Sequence, residues 1–316
     1  MKKRDMDISP VDIAEIWHKF SPGPAQSIHL PEGQPGFKVL RLDLLRSWAS
    51  GNKYYKLKYV LKETLAKGTP ILVSKGGMFS NHLAALSDAC LAFDLQLVAV
   101  IRSHTPDENN PSIRRLRVNG NQIVYLYPDE YNSFGDADAS RLFPGALFIP
   151  EGGLSEAGIS GAAEIVVECL PPEPSHIILA GGSMGMACGL VKATPAGVKV
   201  IIVPAWKGCT DSYFCEILTR YKIVPQCSWE LWPDYHFGGF GKFNMHLIDF
   251  MTSFSLKHAV PLDPVYTGKM MFAIEDKRSS GYFREADSIV AIHSGGLQGL
   301  DGYKYRFPDA WRNYAS

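Results

Sequence analysis

The sequence predicts an α/β fold: two domains of twisted, mostly parallel sheets flanked by helices. Three observations lead there. Short apolar, β-branched runs recur along the chain, helix-like stretches separate several of them, and three runs end in glycine-rich turns. The 316 residues are 46% hydrophobic and 20% charged, an ordinary globular composition with length for a sizeable core.

The strand-like runs are, in order, "ILVS" (71–74), "LQLVAVIR" (95–102), "QIVYLY" (122–127), "ALFIP" (146–150), "HIILA" (176–180), "VKVIIVPA" (198–205) and "SIVAIHSGG" (288–296). The stretches at 80–94 and 157–170 read as helices between them. Continuous apolar strands alternating with helices argue for parallel sheets covered on both faces. Domain changes are placed near 55 and 160. Residues 1–55 with 161–316 then form a larger domain and 56–160 a smaller one. The three glycine turns are "VSKGGMFSN", "IILAGGSMGMACG" and "AIHSGGLQG". Ligands in open parallel sheets sit beyond the carboxyl ends of the strands, so three such turns suggest one crevice.

Composition narrows the partners. Lys and Arg number 32 and Asp and Glu 32, so no basic footprint points to nucleic acid. The charged start "MKKRDMDISP" has no apolar run behind it, and no stretch approaches a membrane span. A cytoplasmic protein is expected. The six cysteines (Cys90, Cys169, Cys188, Cys209, Cys215, Cys227) form no C-x-x-C pair. They read as reduced core cysteines, with no metal site.

The segment "SGNKYYKLKYVL" (50–61) places Lys53 behind a Ser-Gly-Asn turn. It is either part of a solvated helix face or a lysine held out to react. A lysine amine attacks an aldehyde only when neutral, so a reactive one is desolvated or fixed by a rigid turn. The loop 180–189, "AGGSMGMACG", follows a strand and opens a helix, which makes it an anion cradle or a plain tight turn. It matches neither the dinucleotide nor the triphosphate glycine pattern, so a single phosphate monoester fits better. Ser80 or Asn81 in "GGMFSNH" caps the following helix or faces a ligand. His293 alone reads as a structural histidine. Pyridoxal phosphate, with one aldehyde and one phosphate monoester, fits this inventory.

Together these motifs resemble one family, the aminocyclopropane-carboxylate deaminase and D-cysteine desulfhydrase group. These are pyridoxal-phosphate enzymes of the tryptophan-synthase-β-like fold. "SGNKYYKLKY" is similar to the family's Gly-Asn-Lys-x-x-Lys-Leu segment and "GGMFSNH" to its Gly-Gly-x-x-Ser-Asn turn. "IPEGG" (149–153), "GSMGMACGL" (182–190), "LDPVYTGKMM" (262–271) and "HSGGLQGL" (293–300) resemble four further family segments, in the same order. The resemblance implies that Lys53 holds the cofactor as a Schiff base and moves the α-proton. Asn81 would bond the ring hydroxyl oxygen, and Ser80, Asn81 and His82 would face the substrate carboxylate. Gly182, Ser183, Met184, Gly185 and Met186 would cradle the phosphate. Tyr266 and Phe240 would face the substrate, Ser80 or Tyr266 would move protons, and Thr267 would sit at the pyridine nitrogen. A homodimer acting on a small amino acid is the expected assembly.

Three departures bear on chemistry. Met184 and Met186 replace a glycine and a hydroxyl residue of the family's phosphate loop, and a lost hydroxyl is worth about 1.5–3 kcal/mol. Phe240 stands where a tyrosine is expected. Thr267 replaces the deaminases' glutamate, and a neutral partner leaves the pyridine a weaker electron sink. That favours elimination of a good β-leaving group, with D-cysteine giving pyruvate, ammonia and sulfide. The alternatives are aminocyclopropane-carboxylate deamination to 2-oxobutanoate, and a phosphate-ligand-binding protein without catalysis.

Overall fold

The structure, a computed structural model, describes residues 25–28, 36–45, 48–49, 51–312 and 314. The N-terminal residues 1–24, assigned to the larger domain by sequence, lie outside the described residues.

Ten strands form two sheets. The larger has the order β1 (Ala25–Ile28), β2 (Phe37–Arg41), β10 (Ile289–His293), β7 (His176–Gly181), β8 (Lys199–Pro204), β9 (Ser228–Leu231). All its pairings are parallel except β1 with β2. The smaller has the order β5 (Gln122–Leu126), β4 (Gln96–Arg102), β3 (Ile71–Gly77), β6 (Leu147–Ile149), all parallel. Seven of the ten coincide with the strand-like runs of the sequence. The other three are β1, β2, where exposed Lys38 interrupts the apolar run, and β9, a half-exposed edge strand.

Both faces of the larger sheet are covered, which explains its unbroken apolar runs. Val39, Ala291, Ile178 and Ile201 form one row in register and share a core cluster. Their neighbours Leu40, Ile177, Val200 and Val290 point into the opposite cluster. This is the period-2 alternation of a strand. Truncating a fully buried member such as Ile201 to alanine costs about 2–5 kcal/mol.

Eleven helices are described. The first, α1 (Asn52–Ala66), joins the two sheets: Tyr54 and Tyr55 pack into the core of the larger, and Leu57, Val60 and Leu61 into that of the smaller. The helices α2 (Asn81–Ala92) and α3 (Pro111–Val118) complete that face of the smaller sheet, with α4 (Pro128–Ser133) and α5 (Asp136–Leu142) on the other. Around the larger sheet, α6 (Glu156–Glu168), α7 (Gly185–Ala193) and α8 (Asp211–Arg220) pack on one face. The opposite face carries α9 (Met245–His258), α10 (Thr267–Ser279) and α11 (Gly299–Arg306). All six cysteines are free; five are buried and Cys215 is exposed. No described helix is long and apolar enough to cross a membrane.

Candidate active site

The glycine turns after β3, β7 and β10 meet around one cavity of about 960 Å³. Eleven of the twelve candidates named from the sequence line it: Lys53, Ser80, Asn81, His82, Gly182, Ser183, Met184, Gly185, Met186, Phe240 and Tyr266. Thr267 does not. It is fully buried beneath the wall, with its hydroxyl donating to Asp263 Oδ2 at 2.6 Å and accepting from the Asp263 N–H at 2.8 Å.

Lys53 stands in the first turn of α1, and the turn before it is fixed from far along the chain. Gly51 has φ +64°, and a Cβ there would overlap Ser294 O. Asn52 N–H donates to that same Ser294 O at 3.0 Å. The glycine is therefore needed twice, for its left-handed backbone and for the approach of the "HSGG" turn. The Lys53 ammonium donates to Asn52 Oδ1 at 2.9 Å. Burial pulls its pKa down to about 8, opposed by the Asp263 carboxylate. At pH 7 about a tenth of such an amine is neutral, several hundredfold more than for an ordinary lysine.

One helical turn on, Lys56 lies on the same face. Sequence reasoning gave it no role. It is buried, and its ammonium donates to Gly152 O and, at 3.1 Å, to Ser183 Oγ. Burial, then the charge of Lys53, pushes its pKa well below the usual value. Among the described residues it has no carboxylate partner. A Cβ on Gly185 would lie 2.9 Å from its Nζ. A buried cation with only neutral acceptors is costly unless a counter-charge completes it. The i, i+3 spacing from Lys53 was the available signal.

A counter-charge beside Lys56 would find a cradle at the start of α7. No side chain caps this helix, and its first internal bond runs from Cys188 N–H to Met184 O at 2.8 Å. The N–H groups of Gly185, Met186 and Ala187 precede that bond and face the positive end of the helix dipole. Met184 adopts φ +62°, a left-handed conformation costing a non-glycine residue about 1–3 kcal/mol. Its side chain and that of Met186 are buried in the core cluster, and Asn52 Nδ2 donates to Met186 Sδ at 3.4 Å. The methionines thus turn their side chains inward, leaving the backbone to make the cradle.

The start of α2 differs. Ser80 Oγ accepts from Leu83 N–H at 3.2 Å, so the serine caps its own helix while lining the cavity. Asn81 lies over the last glycine turn, where a Cβ on Gly296 would stand 2.6 Å from its Nδ2; its buried Oδ1 has no partner. The His82 tautomer follows from Ser74. Ser74 Oγ donates to Ile149 O at 2.8 Å, so at 2.9 Å it accepts from His82 Nε2–H. His82 Nδ1 is then a bare acceptor, buried and without a partner. Burial, with Lys53 and Lys56, pushes the His82 pKa well down and keeps the ring neutral. At this turn the open donors are the backbone N–H groups of Asn81 and His82, while the His82 ring offers an acceptor.

Tyr266 rests on Gly182, whose Cβ would lie 2.9 Å from Tyr266 Cε1, and meets the Phe240 ring edge-to-face at 6.0 Å. Burial, Asp263 and Glu151 raise its pKa, so the phenol keeps its proton. Asp263 is held by Val265, Tyr266 and Thr267 N–H groups besides the Thr267 hydroxyl. His293 does not line the cavity. Its Nε2–H donates to Pro261 O at 2.7 Å and its Nδ1 faces Gly295 N–H and Asp43, which binds Arg41 bidentately.

The buried, unneutralised Lys56 and the uncapped α7 fit a phosphate monoester, and the depressed amine of Lys53 fits an aldehyde partner. Comparisons with known proteins agree. The chain belongs to the pyridoxal-phosphate dependent enzyme family, which matches residues 23–295. The fold is tryptophan-synthase-β-like, and the cofactor is pyridoxal phosphate. Within the family the chain is 28% identical over 295 residues to a D-cysteine desulfhydrase of Salmonella typhi, covering 84% of this chain and 88% of that one. It is 26% identical to a Pyrococcus horikoshii protein provisionally named a 1-aminocyclopropane-1-carboxylate deaminase, covering 84% and 86%. A crystal structure described as an ACC deaminase homologue superimposes with a TM-score of 0.75 at 23% identity, covering 94% and 98%. A pyridoxal-phosphate-dependent aspartate racemase gives 0.63 at 16%, covering 93% and 97%.

Proposed function

We propose that this enzyme eliminates the β-substituent of a small amino acid, D-cysteine above all, giving pyruvate, ammonia and sulfide with one water consumed. The observation that carries the reading is the pair of lysines one turn apart. Lys53 has an amine near its neutral form, and Lys56, with no carboxylate partner among the described residues, is a buried amine that an anion beside it would hold charged. Pyridoxal phosphate, when bound, supplies an electron sink for the α-carbon. Lys56, Ser183 and the α7 amides hold the phosphate. The open N–H groups of Asn81 and His82 orient the substrate carboxylate, and the Lys53 amine takes the α-proton. Tyr266 lines the cavity and keeps its proton, which supports a role as proton donor. Closure of the two sheets' domains, 56–160 against the rest, excludes water.

The Thr267 hydroxyl hydrogen is spent on Asp263, and the position after Tyr266 offers no carboxylate. With Thr267 beneath the wall and the carboxylate residue Asp263 lining the cavity, the preference for a good leaving group over a cyclopropane rests on the likeness to the D-cysteine desulfhydrase. Side-by-side assay of D-cysteine, β-chloro-D-alanine and aminocyclopropane carboxylate tests the reading. Pyruvate from the first two and little 2-oxobutanoate from the third is expected; the reverse preference overturns it. A purified protein that stays colourless after addition of the cofactor would instead favour a binding protein without catalysis.

A further inference from the structure

Lys269, on α10, is buried and lies outside the cavity lining. It pairs with no described carboxylate. Its ammonium donates to two backbone carbonyls, Ala205 O at 3.1 Å and Gly239 O at 2.9 Å. Burial lowers its pKa to about 8, with Asp263 acting the other way. Such a group costs folding stability that a methionine of similar volume would recover. Its retention calls for a return elsewhere.

The two carbonyls belong to two walls of the cavity. Ala205 directly follows β8 and precedes Trp206, and Gly239 precedes Phe240; both aromatic rings line the cavity. The loop around Gly239 is irregular: Phe237, Gly238, Gly239 and Gly241 all have positive φ, from 51° to 121°. Such a backbone has no ladder to fix it. Among the described residues, two side chains outside the loop hydrogen-bond its carbonyls, Lys269 to Gly239 O and Tyr303 to Gly241 O at 2.9 Å, while Phe272 and Tyr266 pack on its Phe237 and Phe240 rings.

We propose that Lys269 is a positioning residue for substrate. It fastens the Phe240 loop to the end of β8, so that the Phe240 ring stands beside Tyr266 as an apolar wall for the β-substituent. The wall has no hydroxyl and suits a soft, weakly hydrated substituent such as a thiol or chloride. This rests on the amino-acid reading above; the tethering of the loop does not.

The test is Lys269→Met in the cofactor-loaded enzyme. Amide exchange across 237–242 should rise about tenfold or more while the thermal midpoint stays level or rises. The KM for β-chloro-D-alanine should rise about tenfold with kcat within about threefold, since the bound substrate no longer meets a fixed wall. The cofactor spectrum should match the parent, because Lys53, Lys56 and α7 are untouched. Unchanged exchange at 237–242 overturns the proposal. If Lys269→Met does not fold, Tyr303→Phe decides instead. It frees Gly241 O only, so exchange should rise at 240–242 and stay slow at 237–239. Equal opening of both halves with Lys269 in place overturns the proposal. A parent enzyme inactive on every amino acid removes the function proposed above and leaves the exchange result standing.

Discussion

Two of the helix N-termini at the cavity, those of α2 and α7, are finished differently. At α2 the chain supplies its own cap: Ser80 Oγ takes the Leu83 N–H. At α7 the cap residue is Met184, in a strained left-handed conformation with its side chain turned into the core. A buried lysine without a carboxylate stands beside α7. The first end has one of its N–H groups satisfied by the chain itself and leaves those of Asn81 and His82 open, whereas the second has no side-chain cap and would be completed by an anion. A self-capped end can bind a small carboxylate weakly and reversibly, as a substrate requires. An open end backed by a buried cation suits a group that stays.

The largest expected effect falls outside both ends. Lys53→Ala should abolish turnover, by on the order of a thousandfold or more, with the fold intact. Borohydride reduction and peptide mapping should put the pyridoxyl label on Lys53. A label on Lys56 would reverse the roles of the two lysines. Next comes the open end. Lys56→Met removes a charge-assisted contact and should weaken cofactor binding about 10- to 150-fold, while the cofactor-free protein melts no lower than the parent. Unchanged affinity would show that the anion lies elsewhere. Gly185→Val should weaken binding as well, because the added Cβ meets Lys56 Nζ. At the self-capped end, Ser80→Ala should cost about 1 kcal/mol of stability, read as a lower midpoint in the cofactor-free protein. Cofactor affinity should change little; a large loss there would erase the contrast between the two helices.

A further effect is in pH. The folded pKa of Lys53, about 8, lies below its ordinary 10.5. Between those values the unfolded chain binds more protons, so stability rises with pH through this window, and below pH 8 the burial penalty is present in full. Cofactor-free Lys53→Met should therefore be more stable than the parent at pH 7. Its lead should shrink toward pH 10. A lead independent of pH would mean that the amine is not desolvated.

The sheets were legible where burial was complete. Strands β4, β7, β8 and β10 lie between two cores and read as unbroken apolar runs, whereas half-exposed β9 gave no such signal. The glycine turns were legible because glycine marks positions where a side chain has no room. The methionines read as a defect of the phosphate loop, because sequence does not tell which way a side chain turns. The family resemblance puts Thr267 at the pyridine nitrogen, and in the structure it does not line the cavity. Its hydroxyl goes to Asp263, four residues back.

By itself the sequence determined what is local. Periodicity set the strands and helices, Gly51 and Ser80 set the turn and cap, and the order of the motifs set the family. The tertiary structure decided which charges lost their water. Lys53 is marked by the turn before it, but Lys56 and Lys269 stand in unremarkable helical text, yet Lys56 meets Gly152 96 residues away, and Lys269 meets Ala205 64 residues back. An amine's pKa depends on the solvent and charges within a few ångströms of it, and in a parallel sheet those neighbours come from distant crossovers.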